Sequence, residues 1–272
     1  MTLVVLTGAT RGIGRAAAIA LAGAGAELVL VGRDERRVRE LAEQARAGGA
    51  EGAHEYVADL TLMAEVRTLA LALRDRHAQI DVLANNAGAL FGSRALTAEG
   101  LERTVALNHL APFLLTNLLL DRLAGGRVIT TSSDAHRGAA LDFDDLQGER
   151  SYSPWRAYGT SKLCNILFTR ELARRAPQLR ANCFHPGVVR TGFAKNETGI
   201  WNALATLGGP FLRSPARGAR SLVWLAVSEQ AAGLSGNYVH DERVVTPTLA
   251  ARDDDLAREL WDRSAELTAV AA

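Results

Sequence analysis

Cysteine is scarce: the 272-residue chain holds 2, Cys164 and Cys183, far apart and in no C-x-x-C pair. That excludes a disulfide framework and a thiolate zinc site, and it fits a reducing, cytoplasmic setting. Charge of one sign is missing too, since 31 Lys plus Arg face 30 Asp plus Glu, a formal net charge of +1. With no global field, a nucleic-acid partner or an anionic membrane surface would need a local basic patch, and none is apparent. Apolar runs stay short of membrane-spanning length; Leu110 to Leu120 comes nearest and is broken by Pro112, Thr116 and Asn117, so no membrane insertion is expected. The opening MTLVVLTGATRGIG has no basic n-region or apolar h-region, which predicts a soluble cytoplasmic protein without an export signal. Internal repeats and low-complexity linkers are absent, and the 6 His form no His-Glu-x-x-His pattern, so no metal is expected.

What is present is alternation. Leu3 to Thr7, Glu27 to Gly32, Glu55 to Ala58, Val82 to Asn85, Arg127 to Ser132, Arg180 to Phe184 and Asn237 to His240 read as strands, mostly apolar throughout, as a sheet covered on both faces requires. Between them apolar positions recur at helical spacing, as in Val38, Leu41, Ala45 and Val66, Leu69, Leu73. Asp34 and Thr97 stand where helix N-caps belong, and Gly48-Gly49 ends a helix. The pattern predicts an α/β fold over residues 1–272 as one domain: a seven-stranded parallel sheet, doubly wound, with helices on both faces. One long stretch, Gly187 to Pro215, lacks clear period; its Trp201, Leu204, Leu207 and Phe211 suit a substrate lid over about 190–215, core packing or a subunit contact.

Thr7-Gly8-Ala9-Thr10-Arg11-Gly12-Ile13-Gly14 follows the first strand and opens the first helix, the context of a dinucleotide-binding Rossmann loop. Gly8 permits the tight turn, Gly12 a close backbone approach to pyrophosphate, and Gly14 close helix packing, while the helix N-terminus offers free N–H groups to the anion. After the second strand comes Arg33, with no acidic residue at that position to accept from a ribose 2′-hydroxyl. Arg11 approaches the same corner, and two guanidinium groups favour a 2′-phosphate, so NADP(H) is expected over NAD(H). Asp34 is the competing feature, readable as a ribose partner or as an N-cap. Tyr158 and Lys162, four apart, share one helix face. A nearby ammonium favours phenolate, so Tyr158 could act as general acid in carbonyl reduction and general base in alcohol oxidation. Ser132 and Ser133 both qualify as the hydroxyl that polarises the carbonyl oxygen.

The glycine loop together with Asn85-Asn86-Ala87-Gly88, Tyr158-Gly159-Thr160-Ser161-Lys162 and His185-Pro186-Gly187 resembles the short-chain dehydrogenase/reductase family. Asp142-Phe143-Asp144-Asp145-Leu146 and the run Ser161 to Phe168 are most similar to its retinol dehydrogenase and WW-domain oxidoreductase branch. The resemblance implies a catalytic set of Asn108, Ser133, Tyr158 and Lys162, with Ser132 the fallback for Ser133. It implies cofactor contacts from Gly8, Thr10 to Gly14, Arg33 and Leu60, from Asp59 at the adenine, and from Asn86, Ala87 and Gly88 beside the adenosine ribose. It implies further cofactor contacts from Tyr158, Lys162, Pro186, Gly187, Val189 and Thr191, with Thr191 at the nicotinamide carboxamide. It also implies hydride transfer between nicotinamide and a small lipophilic aldehyde, ketone or alcohol, whether retinoid-like, steroid-like or polyketide-derived, and a homodimer or homotetramer. The rival expectation is a non-catalytic NADP(H)-binding regulator, against which the intact four-residue set argues.

Overall fold

In the computed structural model, residues 2–189 and 213–270 are described. Seven parallel strands form: β1 Leu3–Thr7, β2 Glu27–Gly32, β3 Gly52–Val57, β4 Val82–Asn85, β5 Arg127–Thr131, β6 Arg180–His185 and β7 Asn237–His240. An eighth, β8 Arg243–Val244, turns back antiparallel on β7, so the sheet has eight strands in the order β3-β2-β1-β4-β5-β6-β7-β8, not seven. The sequence hid β8 because its turn carries Asp241 and Glu242 at φ 49° and 62°, left-handed positions where the usual hairpin signal is Asn-Gly. β3 starts at Gly52, ahead of the expected Glu55, because an edge strand with one partner alternates exposed and covered residues and need not be apolar.

Helices α1 Gly12–Gly23, α2 Glu35–Ala47 and α7 Pro215–Val227 cover one face of the sheet, where Val4, Leu6, Leu28, Leu30, Val82 and Ile129 are buried. Helices α3 Met63–Arg76, α5 Ala111–Leu118, α6 Pro154–Arg175 and α8 Asp254–Thr268 cover the other, over Val5, Val29, Val31, Leu83 and Val128. Successive strand residues thus serve opposite cores, and each fully buried Leu or Val adds about 2 kcal/mol of hydrophobic stabilisation. Phe113, Phe168 and Trp261 lock α5, α6 and α8 together, with ring centroids 4.9 to 5.9 Å apart.

Asp34 caps α2: its Oδ1 accepts from Arg37 N at 3.1 Å and its Oδ2 pairs with Arg37 Nε at 3.1 Å. Thr97 caps no helix. Its hydroxyl accepts from Glu99 N and Leu101 N within a turn, and the cap belongs to buried Glu102, whose carboxylate accepts from Thr104 N and Val105 N at the start of α4, Arg103–Val105. Between α4 and α5 the backbone widens into one π-helical stretch, Ala106–Leu110. At the sheet margins, β3 carries exposed Glu55 and Val57 and has its Ala53 carbonyl covered by Arg46, while β8 ends after two exposed residues. The expected lid residues Trp201, Leu204, Leu207 and Phe211 lie outside the described residues.

Candidate active site

Open α/β sheets gather ligands at the carboxyl ends of their strands, where the strand order reverses. Here the reversal falls between β1 and β4, and three loops meet there: Gly8 to Gly14 after β1, Asn86 to Gly88 after β4, and Ser132-Ser133 after β5.

The first two loops are clamped together. Thr7 Oγ1 accepts from Asn86 N at 3.0 Å and Ala87 N at 3.1 Å, and Asn86 Nδ2 donates to Thr7 O at 3.0 Å and Gly8 O at 3.3 Å. Gly8 and Gly12 take φ of 64° and 52°, in the left-handed region that favours glycine. A Cβ on Gly8 would sit 2.7 Å from Ala87 Cα, and one on Gly14 2.2 Å from the Gly8 carbonyl oxygen. Asn86 and Ala87 therefore form the wall on which the glycine loop rests. The α1 N-terminus has no side-chain cap and no acidic residue in its first turn, so its leading N–H groups are open to an anion. These features fit a dinucleotide pyrophosphate.

Around that loop, Thr10 packs its methyl against Gly32, Ile13 packs toward Gly218, and Arg11 is exposed. Arg33 is exposed, with its guanidinium 3.9 Å from Asp59 Oδ2. Asp59 Oδ1 accepts from Thr61 N at 3.0 Å and Thr61 Oγ1 at 2.8 Å, while Leu60 is buried in the core. Gly187, at φ 79°, leaves room for the Arg213 side chain, and Val189 pairs in a short parallel bridge with Arg213. Thr191 lies outside the described residues.

The four expected catalytic side chains converge behind these loops. Pro154, whose fixed φ suits a first helical turn, opens α6 and sets Tyr158, Lys162 and Asn165 along one stripe. Ser133 and Tyr158 are hydrogen bonded; burial pushes the phenol up to about 12, and the Ser133 bond opposes that rise. Ser132 turns inward, donating to Lys162 O at 2.8 Å, so of the two serines it is Ser133 whose hydroxyl meets Tyr158. Lys162 Nζ donates to Thr131 O at 3.1 Å and lies 5.4 Å from the Tyr158 ring centre; burial brings its ammonium down to about 7. Asn108 sits in the π-helical stretch, a distortion frequent at functional sites. Its amide is fully engaged, accepting from Ala89 N at 2.8 Å and donating to Ala89 O at 2.9 Å and Ser161 Oγ at 3.0 Å. A Cβ on Gly88 would lie 3.1 Å from Asn108 Oδ1 and 3.4 Å from Lys162 Nζ, so this glycine keeps the space before both groups open.

The sequence places His136 and His185 beside the site as loop or helix residues, but two arrangements emerge only in the structure. Beneath Ser133, His136 Nδ1 meets Ser133 O at 2.7 Å, Tyr238 donates to Asp134 Oδ1 at 3.0 Å, and His185 Nε2 stands 3.5 Å from Asp134 Oδ2. These residues come from the short 3-10 turn Asp134–Gly138 after β5, from β6 and from β7, and no local spacing announces their contacts. The second is Asn165, whose spacing from Tyr158 and Lys162 was readable as the same helix face. Cys164 and Cys183 are buried, which pushes both thiols up to about 12 and leaves them unreactive.

Burial lowers His109 and His185 from the ordinary 6.5 to about 4 each. The unfolded chain binds those protons near 6.5 and the folded one only near 4, so their contribution is whole above about 6.5 and is lost as pH falls toward 4. Urea midpoints measured between pH 7 and 4.5 are expected to fall, and a folded His109→Asn variant to lose less over that interval than the parent.

A family model described as short chain dehydrogenase matches residues 2–199. A Streptomyces sp. (strain C5) protein provisionally named daunorubicin C-13 ketoreductase DnrU is 46% identical over 263 residues, 96% of this chain and 91% of its own. Human retinol dehydrogenase 13 is 38% identical over 285 residues, 99% of this chain and 85% of its own. Among solved structures, the angucycline C-6 ketoreductase LanV with bound NADP superposes at TM-score 0.70 and 27% identity, covering 88% of this chain and 93% of that one.

Proposed function

The chain belongs to the short chain dehydrogenase family, and from that premise we propose that it is an NADP(H)-preferring oxidoreductase acting on a lipophilic ketone, aldehyde or alcohol. The observation that carries this reading is the convergence of Ser133, Tyr158 and Lys162 at the strand ends beside an uncapped, glycine-lined helix N-terminus. When bound, the dihydronicotinamide supplies hydride to a carbonyl carbon. The protein's own part is orientation and the proton. The Ser133 hydroxyl donates to the substrate oxygen, the Tyr158 phenol delivers its proton there, and the Lys162 ammonium favours the resulting phenolate and would help hold the cofactor. Asn108 fixes the Ala89 backbone beside them. In the oxidative direction the same groups work in reverse.

Two arguments support the phosphate-bearing cofactor. Both Asp34 oxygens are occupied by Arg37, which leaves the cap and removes the ribose partner. Arg33 and Arg11 stay exposed and can pair with a 2′-phosphate. Charge-assisted hydrogen bonds are worth about 1.5–3 kcal/mol, so Arg33→Ala with Arg11→Ala is expected to lower the NADPH/NADH affinity ratio about 10- to 100-fold. Fluorescence titration with both cofactors reads this, and an unchanged ratio refutes it. Names of relatives such as daunorubicin and angucycline ketoreductases and retinol dehydrogenase suggest a bulky polycyclic or isoprenoid substrate. Substrate-dependent NADPH oxidation across such ketones and aldehydes, with NADH in parallel, tests the whole reading.

A further inference from the structure

Lys162 rests on a carbonyl that it shares. Thr131 O accepts from Lys162 Nζ at 3.1 Å and from Asn165 Nδ2 at 3.0 Å. Lys162 and Asn165 are 2% and 1% exposed, three residues apart on α6, and among the described residues no carboxylate pairs with the lysine. A carbonyl oxygen offers two lone pairs. Asn165 occupies one and directs Lys162 to the other.

At the far end of the amide, Asn165 Oδ1 and the neighbouring His109 Nδ1 are both buried with no hydrogen-bond partner among the described residues. The Ser264 hydroxyl, on α8, donates to Leu260 O at 2.6 Å, so toward His109 Nε2, 2.8 Å away, it accepts, and Nε2 carries the proton of the neutral ring. The Asn165 amide is therefore held at its Nδ2 end, on the Thr131 carbonyl.

We propose that Asn165 is a positioning residue for Lys162: its amide fixes and partly occupies the Thr131 carbonyl on which the ammonium sits. The proposal rests on the role given to Lys162 above, but its test does not depend on turnover. The titratable neighbours are few, namely Tyr158 on the same helix and His109 beyond Asn165.

Lys162 and Lys195 are the chain's two lysines, so Lys195→Arg leaves a single lysine for isotope labelling. In that protein, without cofactor, NMR across pH is expected to show the Asn165 side-chain amide proton moving with the same midpoint as the Lys162 Nζ signal, because both compete for one oxygen. An Asn165 amide unmoved through the Lys162 midpoint overturns the proposal without any core mutation. Asn165→Leu, similar in size, removes the amide's positive edge and frees the carbonyl for the ammonium. It is expected to raise the Lys162 midpoint by about half a pH unit or more and to lower kcat about tenfold with substrate KM unchanged. A folded Asn165→Leu with the parental Lys162 midpoint also overturns it. If the parent protein turns over no carbonyl substrate, the functional reading fails, and the two NMR results still decide the role of Asn165.

Discussion

Tyr158→Phe is expected to abolish carbonyl reduction while leaving NADPH binding nearly intact. The substitution keeps the ring and removes one oxygen, the atom hydrogen bonded to Ser133. Because burial holds the phenol up to about 12, Tyr158 carries its proton throughout the neutral range in the free protein, the form that an acid catalyst of reduction needs. A positioned acid or base contributes about 10²–10⁴-fold, and the Ser132 hydroxyl does not replace this one, since it is committed to the Lys162 carbonyl. Single-turnover NADPH oxidation and a cofactor fluorescence titration check the two halves. A variant with near-parental turnover refutes the assignment of Tyr158, whereas a parent protein that binds NADPH tightly and reduces nothing points to a regulator that keeps the fold.

The second large effect comes from backbone contact. Gly14→Ala is expected to cost about 3 kcal/mol of stability and to weaken NADPH binding about 100-fold or more. Its Cβ would lie 2.2 Å from the Gly8 carbonyl oxygen and 2.7 Å from Asn86 Nδ2, neither of which can swing aside as a flexible side chain would. Relief requires α1 to move off the loop that presents its N-terminal N–H groups. The same substitution at Gly23, on the last turn of the same helix, meets nothing within 4 Å. There the loss of unfolded-chain freedom is expected to raise stability by about 0.5 kcal/mol. Denaturant titrations of the two variants test a predicted difference in sign within one helix.

Much of this was legible because the relevant rules are local. The glycine loop, the strand before it and the Tyr158 to Lys162 spacing each occupy a few consecutive residues, and short-range sterics fix their meaning. Asp34 could be read as a cap because the turn it closes is its own. Thr97 misled for the complementary reason: a capping hydroxyl looks the same whether a helix or a turn follows, and buried Glu102 five residues on took the role. The resemblance already favoured Ser133 over Ser132, but the reason needed the packing of α6, whose Lys162 carbonyl takes the Ser132 hydroxyl. His109, Thr131 and Asn165 were further from reach. Each is an ordinary polar residue in sequence, and only the packing of α6 and α8 against the π-helical stretch buries them beside one another.

The margins of the sheet carry a consequence for how copies of this chain meet. A sheet's open rim is a template onto which another backbone can add, and that is how native folds seed fibrils. On one rim, Arg46 caps the Ala53 carbonyl and Glu55 sets a charge along the strand; on the other, the hairpin at Asp241-Glu242 stops after Arg243 and Val244. The β8 rim is too short to template a newcomer, and on the β3 rim a covered carbonyl and a charged side chain interrupt the run. Copies crowded at high concentration should therefore associate through side-chain faces that can separate again, and intractable cross-strand aggregates should begin from unfolded chains alone.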